Sequence, residues 1–311
     1  MGKYKQKIKN EIKKSVSMVL SPAYKMLYWL TAPYIRPKKY KVSICAIFRD
    51  EGDYLREWLI YHRIIGVDHF YLYNNFSKDD YLEILEPYLQ ENIVTLIEWP
   101  VPQGQMAAYK DCVERFGKET NWIGFIDLDE YIVPNQENDI KDFLKKFYRR
   151  PLVLIYWMYF TSSGHLSKPD QTTPMVENFT VCWNDYADIG KLFFNTAYDY
   201  ADELRVNQYM HYRWGRRGRI PLPPVNVFDE VCVWDIAFGS KKSMPIQINH
   251  YVVKSYEEFQ AKQKRGDAVY SNYIKDDTYF FDHDMLGCKK DYHIFKYLIK
   301  LKMQLRDFSN L

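Results

Sequence analysis

The strongest constraint on this chain is an alternation. Four times within the first 130 residues a short apolar run ends in a polar loop, and the first three of those loops lead into a helical pattern. Val42–Phe48 reads as a buried strand ending in Arg49-Asp50-Glu51-Gly52. A helix follows, with Leu55, Trp58, Leu59, His62 and Ile65 inward and Gly66 as its stop. His69–Tyr73 is the second strand, and it ends in Asn74 to Asp79. Asp79 is placed to cap a helix through Leu85 that Pro87 closes. Ile93–Ile97 is the third strand, a helix over Gln105–Phe116 stops before Gly117, and Trp122–Ile126 is the fourth strand. Such an alternation predicts an α/β fold with an open, mostly parallel sheet of Rossmann type. Ligands of such sheets collect at the carboxyl ends of the strands, and the loops 49–52, 74–79 and 127–130 all fall on that edge.

No GxGxxG and no phosphate-binding P-loop follows the first strand, which disfavours a dinucleotide oxidoreductase or an NTPase. What the fourth strand delivers is Asp127-Leu128-Asp129-Glu130. Two carboxylates one residue apart can both reach a hard cation, whose open positions take phosphate oxygens. The plainer reading is a helix N-cap with solvated acids. His250 ends a second apolar, strand-like run, Ile246 to Asn249, where an imidazole can complete a metal site or simply pack.

The C-terminal half is less regular. Leu152–Phe160 reads as a strand, and Ser255 with Glu258 forms a capping box for a helix through Lys264. Aromatic residues make up 17% of the chain, 28 of them Tyr, enough for sugar stacking in addition to core packing. The five Cys are scattered without a CxxC pair, as expected of reduced thiols.

Charge is segregated. Residues 1–41 hold ten Lys and Arg36 against Glu11, a net of +10, so the remainder carries −7 of the chain's +3. Tyr4, Ile8, Ile12, Val16 and Leu20 recur every four residues among these lysines, which predicts a basic amphipathic helix stopped at Ser21-Pro22. No stretch approaches the roughly 20 apolar residues of a spanning helix. The arm is therefore expected to lie on an anionic membrane surface through residues 1–35, and the acidic body offers no face for nucleic acid. The expected division is an arm at 1–40, a catalytic domain at 41–266 and a helical tail at 267–311.

Several of these segments follow one another as in a known family. They are Val42 to Asp53, Glu57-Trp58-Leu59-Ile60-Tyr61-His62, Gly66 to Phe70, Tyr73 to Asp79, Gln105 and Ile123 to Ile132. Asn249-His250-Tyr251 through Phe259, with Lys264-Arg265-Gly266, adds a C-terminal signature. Over residues 42–266 the chain resembles family 92 glycosyltransferases and related bacterial family 2-like enzymes. The resemblance implies a GT-A fold, a nucleotide-sugar donor, a divalent cation (manganese, or magnesium) and inversion at the anomeric carbon. On this chain it implies Asp127, Asp129 and His250 as cation ligands. Arg49, Asp50 and Glu51 would meet the nucleotide base and ribose, beside Asn75 and Asp79, with Gln105 and Leu128 also at the nucleotide-sugar. Lys191, His211, Lys254 and Arg265 would meet the diphosphate. Where the family has an asparagine–glutamate pair, this chain has Asp50-Glu51.

An inverting transfer needs a general base at the acceptor hydroxyl. Asp185 is the first choice, with Glu177 and Asp188 beside it, while Trp157 or Cys182-Trp183 is placed to stack on the acceptor sugar. The expected activity is transfer of a hexose, from a UDP-sugar, to a glycan or lipid-linked saccharide at the cytoplasmic face of the membrane. The competing readings are a carbohydrate-binding protein with an inert GT-A shell and a metal-dependent nucleotidyltransferase or phosphohydrolase.

Overall fold

β1 (Tyr40–Phe48) is buried without a break from Val42 onward, because it is paired in parallel on both edges. The structure, a computed structural model, describes residues 2–34, 36–200, 211–234, 243–265 and 275–308. Among them, eight further strands complete a nine-stranded sheet. These are β2 (His69–Asn74), β3 (Val94–Glu98), β4 (Thr120–Phe125), β5 (Glu130–Pro134), β6 (Leu152–Tyr159), β7 (Gly190–Asn195), β8 (Val225–Asn226) and β9 (Ile246–His250). The order is β3-β2-β1-β4-β7-β6-β9-β5, with β8 beside the start of β6. The first four strands form the expected parallel, Rossmann-like half. Beyond it β7 runs antiparallel to both β4 and β6, and β5 antiparallel to β9. This is a mixed α/β sheet, parallel in five of its eight pairings.

The helices α2 (Gly52–Ile64), α3 (Tyr81–Gln90) and α4 (Gln105–Phe116) connect the parallel strands. α2 ends as predicted: Gly66 takes a φ of +99°, and a Cβ there would lie 2.4 Å from the Asp139 carboxylate. Two details differ from expectation. Asp80, not Asp79, precedes α3, and Pro87 lies inside that helix. Asp79 instead accepts a 2.7 Å hydrogen bond from the Gly52 N–H, so it satisfies the first turn of α2 from a neighbouring loop. A side chain at position 52 would run into the Asp79 and Asp80 carboxylates, which explains the glycine.

α1 (Gly2–Leu30) also departs from expectation, running through Pro22 rather than stopping there. A proline removes one ladder hydrogen bond; what outweighs that loss here is docking of the following turns. Tyr28 is fully buried, its hydroxyl donates to the Pro223 carbonyl at 2.9 Å, and the Arg150 guanidinium sits 4.9 Å from its ring. Arg150 is in turn held by both oxygens of Asp229. Ser17 is buried as well, accepting from the Val233 N–H at 3.3 Å. The C-terminal residues expected as a helical tail are woven into the body. Gly287–Lys290 pairs antiparallel with Val181–Trp183, and α9 (Leu298–Phe308) lies along α2. All five cysteines are free, four of them buried.

Glu57 links α2 to the segment that opens α6 (Met175–Asn178). Its buried carboxylate accepts from the Met175 and Val176 N–H groups at 2.7 and 3.3 Å. Burial outweighs these two bonds and pushes its pKa from 4.5 up to about 7. The folded state then binds more protons than the unfolded state between those values, so Glu57 makes stability fall as pH rises through that window.

Two outcomes are expected. Tyr28→Ala should lower unfolding free energy by about 3–5 kcal/mol, and Tyr28→Phe by about 1 kcal/mol, in chemical denaturation. Glu57→Gln should flatten the decline of stability between pH 4.5 and 7, read as Tm across that range.

Candidate metal centre and nucleotide cleft

The turn from β4 to β5 carries Asp127-Leu128-Asp129, and Glu130 begins β5, so the alternative of a helix N-cap falls. Register does the rest. β9 runs antiparallel to β5 with His250 opposite Glu130, and the Tyr251 N–H donates to the Asp129 carbonyl at 2.8 Å. Among the described residues, Asp129, Glu130 and His250 each offer a donor atom within 4.8 Å of the others, and all three are buried. His250 Nε2 stands 3.6 Å from Asp129 Oδ1, and His250 Nδ1 stands 3.9 Å from Glu130 Oε1. Among the described residues, neither Glu130 Oε1 nor His250 Nδ1 has a hydrogen-bond partner.

Orphaned buried polar atoms are costly unless something else completes them. Burial, with Lys191 opposing it and Asp127 and Asp129 adding to it, raises the Glu130 pKa well above the usual carboxylate range. Burial also drives His250 well below its ordinary value, against the pull of Asp129, so the imidazole is neutral and able to ligate. For Asp129 burial opposes ionisation, yet Lys262, His250 and Lys254 outweigh it and keep the carboxylate charged. Two carboxylates and a neutral imidazole with free donor atoms fit a hard divalent cation.

Asp127 takes a different place from the one expected. Lys191, fully buried on β7, reaches its Oδ2 at 2.7 Å, while Gln105 Nε2 and the Tyr109 hydroxyl donate to its Oδ1 at 2.9 and 3.0 Å. The structure thus brings Asp129 and His250 together, with Glu130 rather than Asp127 as the third donor of the cluster. Lys191 also stands 3.7 Å from Glu130, and these two acids outweigh burial to hold it protonated. Leu128 is buried between the aspartates.

A cleft of about 450 Å³ borders the cluster, lined on one side by Arg49, Asp50 and Glu51 and on the other by Lys254, Lys262 and Lys264. Lys262 joins cleft to cluster with a 2.5 Å contact to Asp129 Oδ2. Lys254 stands 3.8 Å from Glu51 and 3.9 Å from the centre of the Tyr54 ring. Asp50 and Lys254 both adopt positive φ, 49° and 50°. Asp50 is held there by Ser77, which accepts from its N–H, and by the Lys78 N–H, which donates to its carboxylate. The predicted capping box forms: the Ser255 N–H donates to Glu258, and Glu258 N–H to the Ser255 hydroxyl. Glu258 also accepts from the Tyr54 hydroxyl, which ties α7 (Tyr256–Arg265) to α2.

Other expected site residues are placed elsewhere. The Asn75 amide donates to the Trp99 and Val101 carbonyls and holds the loop after β3, so it is a loop clamp, as Asp79 is a helix cap. Glu177 pairs with Lys302 of α9 at 2.5 Å. Asp185 and Asp188 are exposed, in a loop whose Ala187 and Ile189 pair with the backbone of Trp157. The Trp157 ring packs 4.6 Å from His250 and 4.7 Å from His211, and Trp183 packs 4.6 Å from Tyr159. His211 Nδ1–H donates to the Gly190 carbonyl at 2.7 Å, and burial, with Lys191 adding to it, lowers its pKa to about 4. Cys182 is fully buried and offers no stacking surface. The side chain of Arg265 lies outside the described residues. Sequence reasoning missed Glu130 as a member of the cluster, and Tyr54, Lys78, Tyr109, Lys262 and Lys264 around it. For Glu130 the available signal was its place at the start of a strand beside the run ending in His250; the others carry none.

The chain is similar to several known proteins. The chain is 32% identical over 119 residues to a family 92 glycosyltransferase of Oryza sativa subsp. japonica, 38% of this chain and 20% of that protein. It is 31% identical over 109 residues to the beta-1,4-galactosyltransferase galt-1 of Caenorhabditis elegans, 30% of this chain and 26% of that protein. The match thus spans about a fifth to a quarter of these relatives' length. Among solved structures, S. aureus TarS (residues 1–349) aligns with a TM-score of 0.39 and 12% identity, over 68% of this chain and 60% of that one. The profile of glycosyltransferase family 92 matches residues 38–293, beyond the stretch that the sequence motifs delimit. The chain belongs to glycosyltransferase family 92.

Proposed function

We propose that this chain is an inverting, metal-dependent hexosyltransferase that moves a sugar from a nucleotide-sugar, a UDP-sugar, to a glycan or lipid-linked saccharide. The observation that carries this reading is the buried trio Asp129, Glu130 and His250, with two donor atoms lacking partners, at the edge of a lysine-rich cleft. The name of the C. elegans relative supports a galactose-like sugar.

Manganese or magnesium held by the trio would supply Lewis-acid stabilisation of the departing nucleoside diphosphate. The chain's own residues do the remaining work. Arg49, Lys78, Lys254, Lys262 and Lys264 give the cleft the positive lining that a diphosphate requires. Asp50 and Glu51 are placed for ribose hydroxyls. Lys191, Gln105 and Tyr109 fix the Asp127 carboxylate, which retains part of its surface for the donor. Half-buried Tyr159 and Trp183, backed by the buried Trp157, form an aromatic wall beside His250 for the acceptor ring. Asp185 or Asp188, on the loop along that wall, is the general base. The protein works at the cytoplasmic face of a membrane, held peripherally by its basic N-terminal helix.

Manganese with a UDP-sugar should raise Tm, and Asp129→Asn or His250→Ala should remove the metal-dependent part of that shift. If no UDP-, GDP- or CMP-sugar stabilises the protein in the presence of manganese, the proposal is wrong. Of Asp185→Asn and Asp188→Asn, one should lower kcat by about 10²–10⁴ with donor affinity unchanged, as removal of a general base does. Near-normal turnover in both would exclude that loop as the source of the base.

A further inference from the structure

α1 is two-faced. Its inner face, Ser17, Leu20, Tyr24, Leu27 and Tyr28, packs against the body. At 3.6 residues per turn, Ile8, Ile12, Val16, Val19, Ala23, Met26 and Leu30 form one continuous stripe beside that face, turned about 120° from it around the helix axis. That stripe faces outward: Val19 is 78% exposed, and Met26 and Leu30 are 60% exposed. Trp29 and Tyr34 stand exposed near its end. On the helical wheel Lys9 and Lys13 follow the stripe on the side of the docked face, and Lys14 and Lys25 lie on the far side of the helix. The sequence periodicity placed Leu20 on the same apolar face as Ile8; continuation of the helix past Pro22 and its docking assign Leu20 to the inner side.

We infer that this outer stripe is the surface that contacts an anionic lipid bilayer, lying in its plane while the inner face holds the enzyme in a fixed orientation. The inference rests on the peripheral placement proposed above and assigns that placement to one face. No helix among the described residues is long and apolar enough to cross a membrane. Exposed apolar side chains on a lysine-rich helix suit the boundary between acyl chains and anionic headgroups. A second copy of the chain is a poor occupant by charge, because α1 carries seven Lys against one Glu and pairing would set like charge against like.

The test is co-sedimentation of the full chain with phosphatidylcholine vesicles, with and without phosphatidylglycerol. The triple variant Val19→Gln, Met26→Gln, Leu30→Gln keeps good helix formers and leaves the docked face untouched. The wild-type chain should bind the anionic vesicles, more weakly at high salt, and the variant should lose about tenfold or more of that partition with Tm unchanged. Absence of wild-type binding overturns both the placement and the face assignment. Equal binding by the variant overturns the face assignment alone. Loss of a dimer in the variant, seen by light scattering without vesicles, would make the stripe a contact between copies and overturn the lipid reading. None of these outcomes depends on whether the cleft accepts a nucleotide-sugar.

Discussion

Three carboxylates within four residues, Asp127, Asp129 and Glu130, are brought together at the edge of a buried sheet, and much of the surrounding structure compensates that charge. Different elements meet each acid. β7 contributes Lys191 and α4 contributes Gln105 and Tyr109 to Asp127. α7 contributes Lys262 to Asp129, and the end of β9 sets His250 between Asp129 and Glu130. A buried charge that loses its partner is strongly destabilising, so these contacts fix how α4, α7, β7 and β9 sit around the turn. The antiparallel register of β9 on β5 is the least replaceable of them. A one-residue slip would turn His250 to the other side of the sheet.

The same accounting bears on ligand chemistry. With all three acids ionised, Lys191 and Lys262 leave one negative charge in the cluster; burial raises the pKa of Glu130, and the two aspartates add to that rise. A divalent cation would reverse the sign to a single positive charge, which favours an adjacent diphosphate. The lysines and arginine lining the cleft extend the positive field away from the cluster, while Asp50, Glu51 and Glu258 in the same lining keep it from being uniform. Such a site suits a ligand with an anionic middle and hydroxyl-bearing ends.

Much of the parallel half was legible because each signal there is local. Val42–Phe48 is a continuous apolar run, Gly66 must adopt positive φ, and the Ser255–Glu258 box is read within four residues. What was misread depends on partners distant in sequence. Asp79 and Asn75 carry the right chemistry for a ligand, but their bonds go to Gly52 and to the loop after β3. Glu130 was passed over because a spacing of one residue between acids draws the eye to Asp127 and Asp129. Only the pairing with a strand 120 residues later shows which acid His250 faces.

The two prolines make the same point about helices. Pro22 and Pro87 each remove one N–H from a ladder, a penalty readable from sequence, but whether the helix ends depends on what the next turn buries. After Pro22 that turn inserts Tyr24, Leu27 and Tyr28 into the body, and Arg150 closes over Tyr28 while bound to Asp229. Arg150 and Asp229 are 122 and 201 residues from Tyr28, so no window of local sequence contains the reason the helix continues. The same insertion turns α1 over: residues that would be solvated in a free helix become the docked face, and the outward stripe is whatever remains. In this chain the exposed surface of α1 is therefore set by its packing, and periodicity alone could not have chosen it.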